Sequence, residues 1–260
     1  MKLLEGLDRQ LNVVFALALR ETRTRFGNSQ LGFLWALAEP LLWILTLYAI
    51  FAIAERDSPR GMALFPFLAT GLVTYELFAK TREKVAEAIG ANRALLFYPQ
   101  VRPLDVTFAR GVLETSTYLA VFAVLMLGYS LVSGTTHVIH SPLLVLTGLL
   151  MTAVLGYALG LVFCMAQVIT ETAKRLRQPL MRPFFWISGI FFTANSLPLK
   201  ARKLLLVNPL FHCIELVRDG WFGAYEARHA DPAYVLGWIV VLLFTGLTLE
   251  RLVRRRVEVQ

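Results

Sequence analysis

Four stretches of this chain, roughly 31–54, 106–132, 142–169 and 233–253, each stay apolar for more than twenty residues. At 1.5 Å rise per residue, a helix of about twenty residues crosses the ~30 Å hydrocarbon core of a bilayer. Lipid offers no hydrogen-bond partners, so a backbone that crosses it closes its own bonds within a helix or a sealed barrel. Runs this long predict helices. Two shorter segments belong with them. The stretch 63–80 is about a minimal span. The stretch 178–194 is ambiguous, because Pro179 and Pro183 sit near its start and it fades at Asn195. Only 17% of the 260 residues are charged and 57% are hydrophobic. A water-soluble domain averages about 25% charged residues, so this chain has too little polar surface to cover a soluble globule.

The formal net charge is +8, and the cations are placed in clusters between the apolar runs. A nucleic-acid binder would gather them on one soluble face, so no nucleic-acid partner is expected. Arg20, Arg23 and Arg25 stand before the first run. A second group lies between 80 and 110, a third between 174 and 182, and a fourth at 251–256. If all six segments cross and the N-terminus is inside, nineteen of the 26 Lys and Arg lie on the inner side. Were the fifth segment not to cross, the last Arg cluster would lie outside, against the positive-inside bias. Six crossings with both termini cytoplasmic is the expected topology, in one domain. Within it, 1–29 is an interface segment, 31–253 a six-helix bundle and 254–260 a cytoplasmic tail. Residues 1–25 are too polar for a signal-peptide core, so no cleaved leader is expected.

Two connections depart from a simple bundle. The long inner connection 82–105 opens as a short helix with Val85, Ala88 and Ile89 on one face, and Pro99 and Pro103 end its regular structure. Residues 195–228, on the outer side, are far from polar. Leu204–Val207 is apolar, Asn208-Pro209 interrupts it, and Phe211–Trp221 resumes as an amphipathic helix. Neither half can span alone, so a re-entrant hairpin packed against protein is expected. The stub 1–29 repeats Leu7, Leu11, Val14, Phe15 and Ala18 at helical spacing, which lays it along the inner membrane surface.

Glu39-Pro40 is the most unusual pair. Proline removes a backbone hydrogen bond and kinks its helix. A carboxylate in an apolar run costs about 2.5–3.5 kcal/mol near the bilayer centre, so Glu39 should face protein or water, with an arginine as partner. The aromatics Trp35, Tyr75, Phe184, Phe185, Trp186, Phe191 and Phe192 read either as an interfacial belt with core packing, or as a track on which sugar rings stack. Cys164 and Cys213 read as small core residues. His137/His140 and His212/Glu215 have ligand-like spacing but no third ligand nearby, so no metal is expected. No catalytic motif and no Walker A sequence is present.

Four pieces in register carry a resemblance: LRETRTRFGNSQLGFLWALAEP at 19–40, FYPQVRPLD at 97–105, RPFFWISGIFFTANSLP at 182–198 and NPLFHCIELVRDGWFGAY at 208–225. The chain resembles ABC-transporter permeases of the polysaccharide and polyol-phosphate export family, most of all the capsular polysaccharide export permeases of Gram-negative inner membranes. The resemblance implies a homodimer of six-helix permeases with two cytoplasmic ATPase subunits that hydrolyse ATP with Mg, no cofactor being bound by the permease itself. It implies a lipid-linked polysaccharide as substrate, a path at the dimer interface, and a periplasmic partner that continues the path. By the same resemblance a coupling helix over Glu87–Tyr98 docks into the ATPase through Glu87, Asn92, Arg93, Phe97 and Tyr98. The stub lies beside the lipid-substrate entry. The resemblance makes the outer hairpin a gate shaped by Asn208, Pro209, Glu215 and Arg218, while on the residues alone Arg20, Arg23, Arg25, Glu39 and Pro40 read as gating or structural. Rival readings are a permease for O-antigen, teichoic acid, or a small lipid or drug, a membrane enzyme acting on lipid-linked sugars, and a membrane scaffold.

Overall fold

The computed structural model describes residues 2–26, 31–55, 58–98, 100–134 and 139–257. Over these residues the chain is helical, with no strand. In order come α1 (Lys2–Phe26), α2 (Leu31–Ile53), α3 (Leu64–Ala86), the single turn α4 (Ala88–Ala91), α5 (Pro103–Ser133), α6 (Pro142–Ile169), α7 (Glu171–Ile187), α8 (Leu199–Leu205), α9 (Pro209–Trp221) and α10 (Pro232–Val257). Four stretches among the described residues are long and apolar enough to cross a membrane: Leu34–Ile53, Pro103–Ser133, Pro142–Ile169 and Pro232–Arg254. They coincide with the four long runs of the sequence.

Helix α3 occupies the place of the expected second span and lies at the centre of the molecule. Phe67, Leu68, Ala69, Leu72, Val73 and Leu77 are fully buried. Its second half carries Glu76, Lys80, Arg82, Glu83 and Lys84. Protein rather than lipid surrounds this helix, which is why it tolerates charges that a lipid-facing span would not.

The seam between α3 and α6 rests on small side chains. Gly148, Thr152, Gly156 and Gly160 recur every fourth residue along α6 and so share one face. A Cβ on Gly156 would stand 2.9 Å from the Phe78 carbonyl oxygen, and one on Gly160 would stand 2.8 Å from that of Arg82. Two helices in lipid gain little from hiding apolar surface, so close backbone approach through small residues is what holds them. The stripe's first member, Gly148, meets Val217 of α9 in the same way. The main apolar core gathers α2, α3, α5, α6 and α9. A smaller cluster of Val85, Ala88, Ile89, Val106, Leu161, Met165 and Val253 closes the other end, beside α4.

Three expectations change. The short helix expected from residue 82 is the last turn of α3, and only α4 is separate. The amide of Glu87 still bonds the Glu83 carbonyl at 3.1 Å, so the helix runs on to that point. The fifth segment, expected over 178–194, is helical over Glu171–Ile187 instead. It starts earlier because the Thr170 hydroxyl caps it, accepting from the Ala173 amide at 3.3 Å. It therefore takes in Lys174, Arg175 and Arg177, which had been placed in a loop. It stops at Ser188, where Gly189 turns to φ +88°. Finally, α9 is not amphipathic in effect. Every residue from Leu210 to Arg218 is buried, polar ones included.

Replacing Gly156 by Val should separate α3 from α6 and cost about 1–3 kcal/mol, as overpacking does. Thermal unfolding of the detergent-solubilised protein reads this directly. Gly90→Ala, where an added Cβ meets nothing within 4 Å, should leave the unfolding temperature unchanged.

Candidate functional site

The most heavily bonded side chain described is a buried arginine on α9. Arg218 is fully buried. Its Nη1 donates to the carbonyls of Gly189 at 2.6 Å and Phe192 at 2.8 Å. Its Nη2 donates to the carbonyls of Ile190 at 2.9 Å and Phe67 at 3.5 Å. The guanidinium lies 4.1 Å from the centre of the Phe67 ring and 3.6 Å from the Glu215 carboxylate. Glu215 in turn accepts from the Ala194 amide at 3.2 Å and from the Tyr225 hydroxyl. Asn208 caps α9, its carbonyl oxygen accepting from the Leu210 amide at 3.1 Å, while its amide group donates to the Ile187 carbonyl at 3.3 Å. Pro209 opens the helix, where a missing N–H costs nothing. Asn208, Glu215 and Arg218 thus bond backbone groups at the end of α7 and in the segment after it. A Cβ on Gly71 would stand 2.7 Å from Arg218 Nη2, so α3 makes room for the guanidinium there.

The aromatics divide. Phe185 lies at the centre of a patch, 5.1 Å from Tyr75, 5.2 Å from Trp186, 5.5 Å from Phe191 and 6.3 Å from Trp43 between ring centres. Trp186 also stacks on Phe191 at 5.5 Å. Tyr75, Phe185, Trp186 and Phe191 therefore meet, and Trp43, which had not been assigned to the path, joins them. Phe192 turns away to pack on Phe211 of α9 at 6.1 Å. Phe184 is half-buried, and Trp35 is exposed near the start of α2. Helix α2 runs through the buried Pro40. Glu39 is exposed rather than turned into protein, with 49% of its side chain open, and its partner is a lysine: Lys80 Nζ of α3 donates to Glu39 Oε1 at 2.7 Å and stands 4.0 Å from Glu76.

At the opposite end of α3, the described residues of the 87–102 loop form single turns, α4 and the 3-10 turn Arg93–Leu95, rather than one continuous helix. Phe97 is 79% exposed and Tyr98 63%. Arg93 and Glu87 are also exposed. Asn92 is buried and works internally, donating to the Ala88 carbonyl at 3.1 Å and accepting from Arg20 Nη1 of α1 at 3.0 Å. The stub is thereby joined to the loop. It is also joined to α5, where Arg110 Nη2 donates to Glu21 Oε1 at 2.5 Å, its Nη1 donates to the Lys84 carbonyl at 3.2 Å, and Gln10 bonds Asp105. Arg23 is exposed, while the side chain of Arg25 lies outside the described part.

The ligand-like pair His212 and Glu215 is otherwise engaged. His212 Nδ1 accepts from the Asp231 amide at 3.0 Å, so Nε2 carries the proton and donates to the Leu206 carbonyl at 2.8 Å. His137 lies outside the described residues. Among those described, no group of three or more His, Cys, Asp or Glu is arranged to hold a metal, and Cys164 and Cys213 are free and buried.

A family model described as the ABC-2 type transporter matches residues 12–222. The chain is 34% identical over 246 residues to the polysialic acid transport protein KpsM of Escherichia coli, covering 95% of each. It is 30% identical over 257 residues to the capsule polysaccharide export inner-membrane protein CtrC of Neisseria meningitidis serogroup A, covering 99% of this chain and 97% of that one. Against the capsule polysaccharide export inner-membrane protein BexB of Haemophilus influenzae the identity is 26% over 256 residues, covering 98% and 96%.

Arg218→Met should strand the Glu215 charge and four carbonyls, costing about 3–5 kcal/mol. Arg218→Lys should lose most of the same stability, because one ammonium cannot serve acceptors spread over Gly189, Ile190 and Phe192. Tyr225→Phe, which removes one hydrogen bond, should cost on the order of 1 kcal/mol. Tryptophan fluorescence during thermal unfolding ranks the three.

Proposed function

Given that this chain belongs to the ABC-2 type transporter family, we propose that it is the membrane subunit of an ATP-driven exporter that moves a lipid-linked capsular polysaccharide out across the inner membrane. The observation that carries this reading is likeness over nearly the whole length to proteins named for capsule polysaccharide export. The sequence contains no Walker A motif, so ATP and Mg belong to a separate ATPase subunit. The permease supplies no catalytic residue and no cofactor site.

In the working arrangement two copies form a homodimer, with an ATPase under each. Both termini and the 87–102 loop face the cytoplasm. α3 and α7 with its exit segment complete six crossings, with α8 and α9 as the outer hairpin. The exposed Arg93, Phe97 and Tyr98 offer the ATPase an aromatic-cationic knob, a composition common in the centres of protein interfaces. The stub α1 lies at the lipid-substrate entry. The aromatic patch around Phe185 lines part of the path, with Trp35 nearer its start. A polymer must slide, so weak stacking repeated along a track suits it better than fixed charges. ATP binding draws the ATPases together, the loop moves, and α2 and α7 rock to widen the path. A periplasmic partner takes the polymer onward. An O-antigen permease would share this architecture, and glycolipid bound to the purified complex separates the two.

Two measurements test the reading. Walker-motif substitutions in the cognate ATPase should abolish surface polysaccharide, and undiminished export would overturn the proposal. Phe97→Ala with Tyr98→Ala should cut co-purification of the ATPase about tenfold or more, as loss of an interface hot spot does, with the permease still in the membrane.

A further inference from the structure

Helix α7 is anchored in reverse. Of its 17 residues only Arg177 is buried, while Leu176, Leu180, Trp186 and Ile187 are exposed. Outward leucines are what lipid allows, and Glu171, Lys174, Arg175 and Arg182 are exposed too, so Arg177 is the one charged residue of α7 that turns into the protein. What holds the first half of α7 is polar. Arg177 Nη2 donates to Glu87 Oε1 at 2.7 Å, and Gln178 Nε2 donates to Glu83 Oε1 at 2.9 Å. Both acceptors belong to the stem of the 87–102 loop: Glu83 sits in the last turn of α3, and Glu87 lies between α3 and α4. Past Pro179 and Pro183, which weaken the helix between its two ends, α7 carries the aromatic patch. Beyond it, Asn208 and Arg218 hold the backbone.

We infer that Arg177 and Glu87 are positioning residues for transport, a strut that makes α7 follow the docking loop. The inference rests on the export reading. With no apolar seat to fix its first half, α7 goes where the loop stem goes. The movement arrives at Phe185 and Trp186, while the Arg218 clasp keeps the far end in place. The contact is single-pronged, using one Nη and one carboxylate oxygen. Charge and reach are therefore what it needs, not the forked geometry of arginine.

The test uses the full permease co-expressed with its ATPase, reading complex assembly, ATP hydrolysis and surface polysaccharide together. Arg177→Gln should leave assembly intact and hydrolysis within about twofold, yet reduce export roughly tenfold, a size typical of lost coupling between two sites. Arg177→Lys should keep most of the export. The reversal Arg177→Glu should lose it, and adding Glu87→Arg should bring it back. Normal export by Arg177→Gln overturns the strut. So does a reversed pair that assembles and still fails to export. Failure of Arg177→Gln to assemble also overturns it, because the pair is then a folding contact. A wild-type chain that binds no ATPase overturns the export reading itself, a result separable from all of these.

Discussion

Backbone that leaves the helical state inside a membrane protein needs a partner for each carbonyl it frees, and here one guanidinium serves three of them. The segment from Ser188 to Thr193 follows α7 without regular structure. Arg218 reaches three of its carbonyls from a helix that comes some twenty residues later in the chain. A buried cation is expensive to desolvate. The Glu215 carboxylate, the Phe67 ring and four carbonyl dipoles together offset that cost. The arrangement explains why α9 is buried on all sides. Its polar face looks not at water but at the broken backbone it serves. Gly71 and Gly189 belong to the same device. A Cβ on the first would strike the guanidinium, and one on the second would strike the Phe211 ring 2.6 Å away.

The two ends of the molecule are built differently. Around α9 the helices interlock through the small-residue face of α6 and a continuous apolar core. Around the loop, a smaller apolar cluster is joined by bonds between side-chain charges and amides: Arg20 with Asn92, Arg110 with Glu21, Arg177 with Glu87, Gln178 with Glu83. Packed cores resist small displacements, because loss of contact is felt over a fraction of an ångström. Long polar side chains can keep a bond while their anchors shift. A rigid clasp around α9 with a more compliant loop end suits the proposed permease, driven from the loop side by an ATPase.

Much of this was legible in the chain itself. Long apolar runs become helices because lipid or protein interior denies the backbone any other partner, and the limits of α6 match the apolar run residue for residue. The stub, the interruption at Asn208-Pro209 and the absence of a nucleotide motif were equally plain. Less plain was where α7 begins. A tally of Lys and Arg puts 174–177 in a loop, whereas the Thr170 cap and the pairing of Arg177 with Glu87 draw those residues into the helix. Nor could spacing distinguish Lys80 from an arginine as the partner of Glu39, since the two lie 41 positions apart and meet only when α2 packs on α3.

What the sequence determined by itself was the class: a helical membrane chain, its four long apolar helices, and its kinship with exporters of capsular polysaccharide. Such features follow from local composition and from order along the chain. Tertiary structure alone decided which polar groups meet. It turned Asn92 inward, gathered Trp43 with Tyr75 and Phe185, and set Arg218 against carbonyls from α3 and from the segment after α7. The physical reason is that a buried charge or carbonyl is satisfied by whatever the packed fold brings within about 3 Å of it. That distance has no counterpart in spacing along the sequence.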